Sequence, residues 1–167
     1  GFNTKEDFIL HNYLIAWFHK YIGSSFLGTE SVTHSAVIYP VFMFALTIIA
    51  FFFMTRKVFK ESMGLMNANL IALISAFFLS VMPPLLPRTI AGIPEKESAA
   101  FLFMFLSFYF FISSWKSKKG FCGYLFGLLA GISTASMALI WGGYVFIFII
   151  LIPIVFVEFL LEKIDKR

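Results

Sequence analysis

The sequence predicts an all-α membrane protein, a polytopic bundle of about five transmembrane helices, and three observations support this class. The residues AVILMFWYC make up 60% of the 167-residue chain, and only 13% are charged. Soluble domains average about a quarter charged residues, so this chain could not cover a water-facing surface of ordinary charge density. The mean hydropathy is +0.90. The apolar residues also fall into runs of about 17–25 residues, the length that crosses a bilayer.

The first 35 residues are too polar to cross a membrane. Aromatic and aliphatic residues recur from Phe8 to Ile22 with a helical pattern, but His11, His19 and Lys20 interrupt it. This pattern is typical of a helix that lies in the membrane interface. We therefore predict that residues 1–35 form an extracytoplasmic segment with an interfacial amphipathic helix. The spacing of its histidines matches no metal site, which favours polar interfacial side chains.

Residues 36–167 form the predicted transmembrane bundle. Its apolar runs cover about 36–55, 64–86, 98–115, 121–141 and 144–161. Arg56 and Lys57 close the first run, and the proline pair at 83–84 breaks the second near its end. Gly127 and Gly131 form a G-x-x-x-G pattern in the fourth run, which predicts a close contact with a neighbouring helix.

The basic residues predict the orientation of the bundle. They follow the first, third and fifth runs as three clusters: Arg56, Lys57 and Lys60; Lys116, Lys118 and Lys119; Lys163, Lys166 and Arg167. Five alternating spans put all three clusters on one side, which the positive-inside rule identifies as cytoplasmic. Residues 1–35, the loop 87–97 and the turn at Trp141 then share the extracytoplasmic side. Membrane lipid therefore explains the net charge of +4, and no nucleic-acid partner is expected.

Charged side chains are concentrated in the loop 87–97: Arg88, Glu95, Lys96 and Glu97. One interpretation is helix capping, with Pro94 in the first helical position and both carboxylates favoured by the helix dipole. The other is a metal site, because carboxylate oxygens suit Mg²⁺ or Mn²⁺. Residues two apart point to different sides of a regular helix. Both carboxylates could therefore reach one ion only if the helix begins late or if one acts through water.

The turn formed by Trp141, Gly142, Gly143 and Tyr144 also has two interpretations. It could be an aromatic belt with a helix break at the interface. Alternatively, its missing side chains could let a lipid headgroup or a neighbouring loop approach closely.

The order of these motifs resembles that in the catalytic-subunit family of oligosaccharyltransferases. That family carries an R-x-x-A-G segment that leads into an acidic pair, and later an S-W-G-G-Y segment. Here Arg88 begins the first segment, Glu95 and Glu97 stand at the acidic pair, and Ile140 replaces the serine before Trp141. The motif residues are most similar to those of archaeal members. The resemblance covers nearly the whole chain but only part of the family's membrane domain.

The resemblance implies a GT-C glycosyltransferase. It would transfer a glycan from a polyprenyl (pyro)phosphate lipid to asparagine in N-x-S/T sequons of an acceptor polypeptide, in an archaeal cell membrane or the endoplasmic reticulum membrane. Glu95 and Glu97 would bind Mn²⁺ or Mg²⁺, with Glu97 the more important. The lipid-linked donor would contact a second set of residues: Arg88, Trp141, Gly142, Gly143 and Tyr144. Two alternatives are another GT-C enzyme that uses a polyprenyl-phosphate sugar, and a non-enzymatic bundle or transporter.

The family's first transmembrane helix, with its own acidic motif, and its sequon-reading soluble domain have no counterpart in these residues. The chain starts at Gly1 and ends on a charged stretch. We therefore expect a piece of a longer GT-C protein that is inactive by itself, and we assign no catalytic residue.

Overall fold

The computed structural model describes residues 9–25, 28, 30–117 and 120–161. Every regular element within these residues is helical, which confirms the predicted fold class. The α-helices are α1 (Ile9–Phe18), α2 (Val32–Ser80), α3 (Leu86–Thr89), α4 (Lys96–Lys116), α5 (Phe121–Ala138) and α6 (Val145–Leu160). A π-helical turn, His19–Gly23, extends α1, and a 3-10 turn, Gly142–Tyr144, precedes α6. Within the described ranges, four segments are long and apolar enough to cross a membrane: Val32–Ser80, Lys96–Lys116, Phe121–Ala138 and Gly142–Leu160.

The first of these segments folds back on itself at Gly64. Gly64 has φ 77° and ψ 169°, a conformation that is almost restricted to glycine. The Gly92 N–H donates a hydrogen bond to the Val37 carbonyl (3.1 Å). In a straight helix Val37 and Ser80 would lie about 65 Å apart, whereas the residues from Ser80 to Gly92 span at most about 43 Å. The hydrogen bond can therefore form only if the second arm of α2 returns toward the first.

The two arms of α2, residues 32–63 and 65–80, contain the first and second predicted spans. Together with α4, α5 and α6 they give five helical segments at the positions of the five predicted spans, and α1 and α3 are further helices within the described residues. The helix does not end where the first predicted span closes, at Arg56 and Lys57, but continues to Gly64. Local charge does not end a helix, whereas the glycine conformation does.

The second arm is buried on one face only. Ala68, Ala72, Ala76 and Leu79 are buried and lie three or four residues apart, which aligns them along the helix. Leu73 and Phe77, between them, are exposed. Small side chains let helices approach closely, and the large exposed ones suit contact with lipid.

Helix α1 closes one end of the bundle. Its inner face includes Phe18, in a buried cluster with Tyr39 of α2, Ala99 of α4 and Ile140. Its outer face, which the π-helical turn continues, carries one exposed apolar or aromatic side chain per turn: Ile9, Tyr13, Trp17 and Tyr21. This division is what an interfacial helix requires, and its placement at a membrane surface stays a prediction.

Helices α4 and α5 pack through short polar side chains. Ser107 and Thr134 share a hydrogen bond (2.8 Å), and the Ser114 hydroxyl donates to the Gly123 carbonyl (2.8 Å). The close helix contact predicted for Gly127 and Gly131 is found at Gly127, where an added Cβ would lie 3.4 Å from the Ser114 hydroxyl of α4. It is not found at Gly131, where an added Cβ would meet open space within the described residues. Gly131 instead lines an apolar cleft of about 640 Å³ between α4, α5 and α6.

Contacts at the two ends of the bundle join segments that the sequence predicts on the same membrane side, and the membrane side of each end stays a prediction. At one end, the Lys116 ammonium donates to the Lys57 carbonyl (3.1 Å) and pairs with Glu61 (3.3 Å), so the first two basic clusters meet. At the other end, α1 reaches the segment before α4. Part of the second cluster and the whole of the third lie outside the described residues: Lys118, Lys119, Lys163, Lys166 and Arg167.

Candidate functional site

The acidic pair stands where α4 begins. The helix starts at Lys96, and Glu95 precedes it as the N-cap with extended backbone (φ −65°, ψ 139°). The Ser98 hydroxyl donates to the Glu95 carbonyl (2.8 Å). Because Glu95 lies before the first helical residue, the direction of its side chain is not set by the helical periodicity. Pro94 lies before the N-cap and not at the predicted first helical position.

Arg88 reaches Glu97 across the loop. Arg88 lies in the last turn of the short helix α3, and its guanidinium donates a hydrogen bond to the Glu97 carboxylate in an ion pair. The Arg88 side chain is 50% exposed and that of Glu97 is 13% exposed. Thr89 beside it is buried, and its hydroxyl donates to the Leu85 carbonyl (2.9 Å). A cation from α3 therefore compensates the second carboxylate of the acidic pair.

The first carboxylate is in a different state. No hydrogen bond or ion pair joins the Glu95 carboxylate to a described residue, and Glu95 as an N-cap makes no side-chain capping bond. Glu95 therefore makes no capping hydrogen bond, whereas Glu97 lies in the first helical turn, where the helix dipole favours its charge. The acidic pair combines one held carboxylate with one that has no partner in the described part of the chain.

This donor set can bind a hard cation only with additional ligands. Within the described residues, no group of three or more His, Cys, Asp or Glu side chains could hold a metal ion. Mg²⁺ usually keeps several water ligands and is bound through one or two carboxylates plus substrate phosphates. Two carboxylates, one of them without a partner, fit such a partly hydrated ion.

The turn at Trp141 is built around its own indole ring. Trp141 is extended (φ −154°, ψ 138°), and its ring lies across Gly143, where any side chain would collide with it. The Trp141 ring also meets Phe101 edge-to-face at 5.9 Å. Phe101 follows Glu97 by about one turn of α4. The segment at Trp141 is therefore in contact with the first part of α4. The space over Gly143 is therefore filled from within the chain, and Gly142 is the exposed glycine.

His11 belongs to the same region, although its sequence context indicates only an interfacial side chain. It is 3% exposed, and its Nε2 atom lies 2.9 Å from the Pro94 carbonyl oxygen. Burial lowers the pKa of His11 below its ordinary value, and the charge of Lys96 adds to this effect. His11 and Pro94 are 83 residues apart in the sequence. Their predicted location on the same membrane side was the only sequence signal that could have brought them together.

The motif order and this geometry agree with a comparison against known families. The family model described as Oligosaccharyl transferase STT3, N-terminal, matches residues 10–167. The chain belongs to this family. It is therefore related to membrane-embedded, metal-dependent glycosyltransferases that act on lipid-linked oligosaccharides and protein acceptors. The matched part of the STT3 family is its N-terminal region. No solved structure is significantly similar to the chain.

Proposed function

We propose that this chain contributes the acidic pair of an oligosaccharyltransferase that moves a glycan from a polyprenyl (pyro)phosphate lipid to asparagine of N-x-S/T sequons. The observation that carries the proposal is the late start of α4. It leaves the Glu95 carboxylate without a described partner beside Glu97, which Arg88 holds. In this proposal Glu95 and Glu97 bind Mn²⁺ or Mg²⁺ at the extracytoplasmic end of the bundle.

The carboxylates have complementary tasks in this proposal. A divalent cation, when bound, supplies charge neutralisation for the leaving phosphate. Glu97 presents an oxygen whose position the ion pair with Arg88 fixes. Glu95 presents an oxygen with no described competitor, and its extended backbone lets it turn toward the same ion.

Arg88 and the turn at Trp141 would bind the lipid-linked donor. A guanidinium has five N–H donors, and the half-exposed Arg88 keeps donors for a phosphate while it holds Glu97. Charge-assisted pairs of guanidinium and phosphate are among the stronger hydrogen bonds. The exposed Gly142 leaves room for the donor beside the Trp141 indole, which Phe101 and Gly143 hold in place.

The test measures glycan transfer to an N-x-T peptide against Mn²⁺ concentration in the complete gene product. Glu97→Gln should reduce turnover strongly, with part of the loss recovered at high Mn²⁺, and Glu95→Gln should have the smaller effect. Glu61→Gln is the matched control, because its carboxylate pairs with Lys116 at the other end of the bundle. A purely capping role predicts a loss under about 1 kcal/mol and no dependence on Mn²⁺. If both variants match the parent at every metal concentration, the metal proposal is wrong.

A further inference from the structure

The N-terminal helix contacts both functional segments from one side. His11 lies within hydrogen-bond distance of the Pro94 carbonyl, directly before the acidic pair (2.9 Å). The neighbouring Leu10 N–H donates to the Leu139 carbonyl, two residues before Trp141 (3.3 Å). A single turn of α1 therefore touches the segment that leads into Glu95 and the segment that leads into the turn at Trp141.

The contact of His11 is directional. A carbonyl oxygen can only accept, so the Nε2 atom carries the proton that the Pro94 carbonyl receives. The His11 ring is buried and packs edge-to-face on the Tyr39 ring at 5.6 Å. Tyr39 in turn packs edge-to-face on Phe18 at 5.7 Å. Because burial and the Tyr39 ring restrict the imidazole, its Nε2 donor has a defined position.

The acceptor of this bond controls the backbone of Glu95. The Pro94 carbonyl and the Glu95 N–H belong to one planar peptide group. The Glu95 N–H donates to the Ile93 carbonyl (2.8 Å). Proline restricts its own backbone on the preceding side. Holding the Pro94 oxygen therefore fixes the plane of the peptide group that precedes the Glu95 side chain, and His11 makes its hydrogen bond to this oxygen and not to the carboxylate.

We infer that His11 is a positioning residue that holds the Glu95 carboxylate in its metal-binding place through the Pro94 carbonyl. This inference rests on the proposed function, because it needs a cation at the acidic pair. Outer-shell partners of metal ligands typically change metal affinity by about 10–100-fold when they are removed. His11 acts here through one further bond, so we expect a change in Mn²⁺ affinity of about tenfold, at the lower limit of that range.

The experiment measures the Kd for Mn²⁺ alone, from the loss of the free-ion signal in electron paramagnetic resonance, on the complete gene product in lipid nanodiscs. Three replacements of His11 are compared. In His11→Gln the amide nitrogen is as many bonds from Cβ as Nε2 is, so the donor stays in place. In His11→Asn the donor moves to the position of Nδ1, and in His11→Phe it is lost.

His19→Phe is the matched control. The His19 Nδ1 atom and the Ser35 hydroxyl share a hydrogen bond (2.8 Å) that also attaches the N-terminal segment to α2, but it does not reach the acidic pair. The Asn and Phe replacements of His11 should weaken Mn²⁺ binding by about tenfold. His11→Gln and His19→Phe should stay near the parent. If His11→Phe does not fold, the comparison of Gln with Asn decides.

The outcomes separate this inference from the proposed function. Parent protein that binds Mn²⁺, with His11 variants of unchanged affinity, overturns the role of His11 alone. An equal loss in His19→Phe also overturns it, because general loosening of the N-terminal segment would then be the cause. Parent protein that does not bind Mn²⁺, or that binds equally well after Glu95→Gln and Glu97→Gln, overturns the metal site and the inference with it.

Discussion

The guanidinium of Arg88 donates a hydrogen bond to the carboxylate of Glu97, nine residues further along the chain. This ion pair joins α3 to the first turn of α4. It leaves Glu95 as the carboxylate of the acidic pair that has no partner among the described residues. The two glutamates therefore differ in environment although they are separated by a single residue, and variants of each should behave differently.

The first prediction concerns Arg88. Arg88→Gln should raise the KM for the lipid-linked donor by about tenfold, because a charge-assisted hydrogen bond contributes about 1.5–3 kcal/mol. The unfolding free energy should change by less than about 1 kcal/mol, since the Arg88 side chain is half exposed and exposed ion pairs contribute little. Steady-state kinetics and thermal unfolding measure the two effects. Arg88→Lys keeps the charge but loses the paired N–H donors of the guanidinium, so its donor KM should lie between those of the parent and of Arg88→Gln. An unchanged donor KM in both variants would exclude Arg88 from donor binding.

The second prediction concerns pH. Burial lowers the pKa of His11 from its ordinary value of 6.5, so below that pH the unfolded chain binds more protons than the folded chain. Stability should therefore fall as the pH decreases through 6.5 toward the lowered value. Thermal unfolding followed by tryptophan fluorescence between pH 7.5 and pH 5 checks this. His11→Gln should flatten the profile. Equal slopes in the two proteins would assign the pH dependence to other groups.

The third prediction compares two glycines. Gly143→Ala should destabilise the protein by about 1–3 kcal/mol, because the new methyl group would collide with the Trp141 indole. Gly131→Ala should be neutral or slightly stabilising, because the added methyl group would meet open space. Alanine also has a higher helix propensity than glycine, and position 131 lies within α5. Thermal unfolding in one detergent measures both. A larger loss of stability in Gly131→Ala than in Gly143→Ala would show that Gly131 does make the close helix contact predicted from the G-x-x-x-G pattern.

The fourth prediction tests the orientation. Ile93 is 74% exposed at the end that carries the acidic pair, and Ser117 follows α4 at the opposite end. Single cysteines at these positions, in a Cys122→Ser background because Cys122 is exposed, should react with an impermeant thiol reagent from opposite faces. Ile93→Cys should label from the extracytoplasmic face. Labelling of both from one face would contradict the span count.

The sequence alone was sufficient to predict a polytopic, all-α membrane protein. Length and hydropathy are local properties, and the bilayer imposes them on any chain that crosses it. The motif order around Arg88, Glu95 and Trp141 is also a property of the linear chain. The match of the STT3 family over residues 10–167 agrees with that reading.

Which side chains meet could be learned only from the folded structure. Sequence spacing could not show that Gly64 reverses α2, because a helix that continues and one that folds back share the same hydropathy. The G-x-x-x-G pattern predicted a close contact for both Gly127 and Gly131, but of these two glycines only Gly127 approaches a described residue of α4, the Ser114 hydroxyl. From the sequence, His11 was predicted to be only an interfacial side chain, because the Pro94 carbonyl that it contacts lies 83 residues away along the chain. Such pairings depend on how the helices pack, and no local pattern records which buried donor will face which carbonyl.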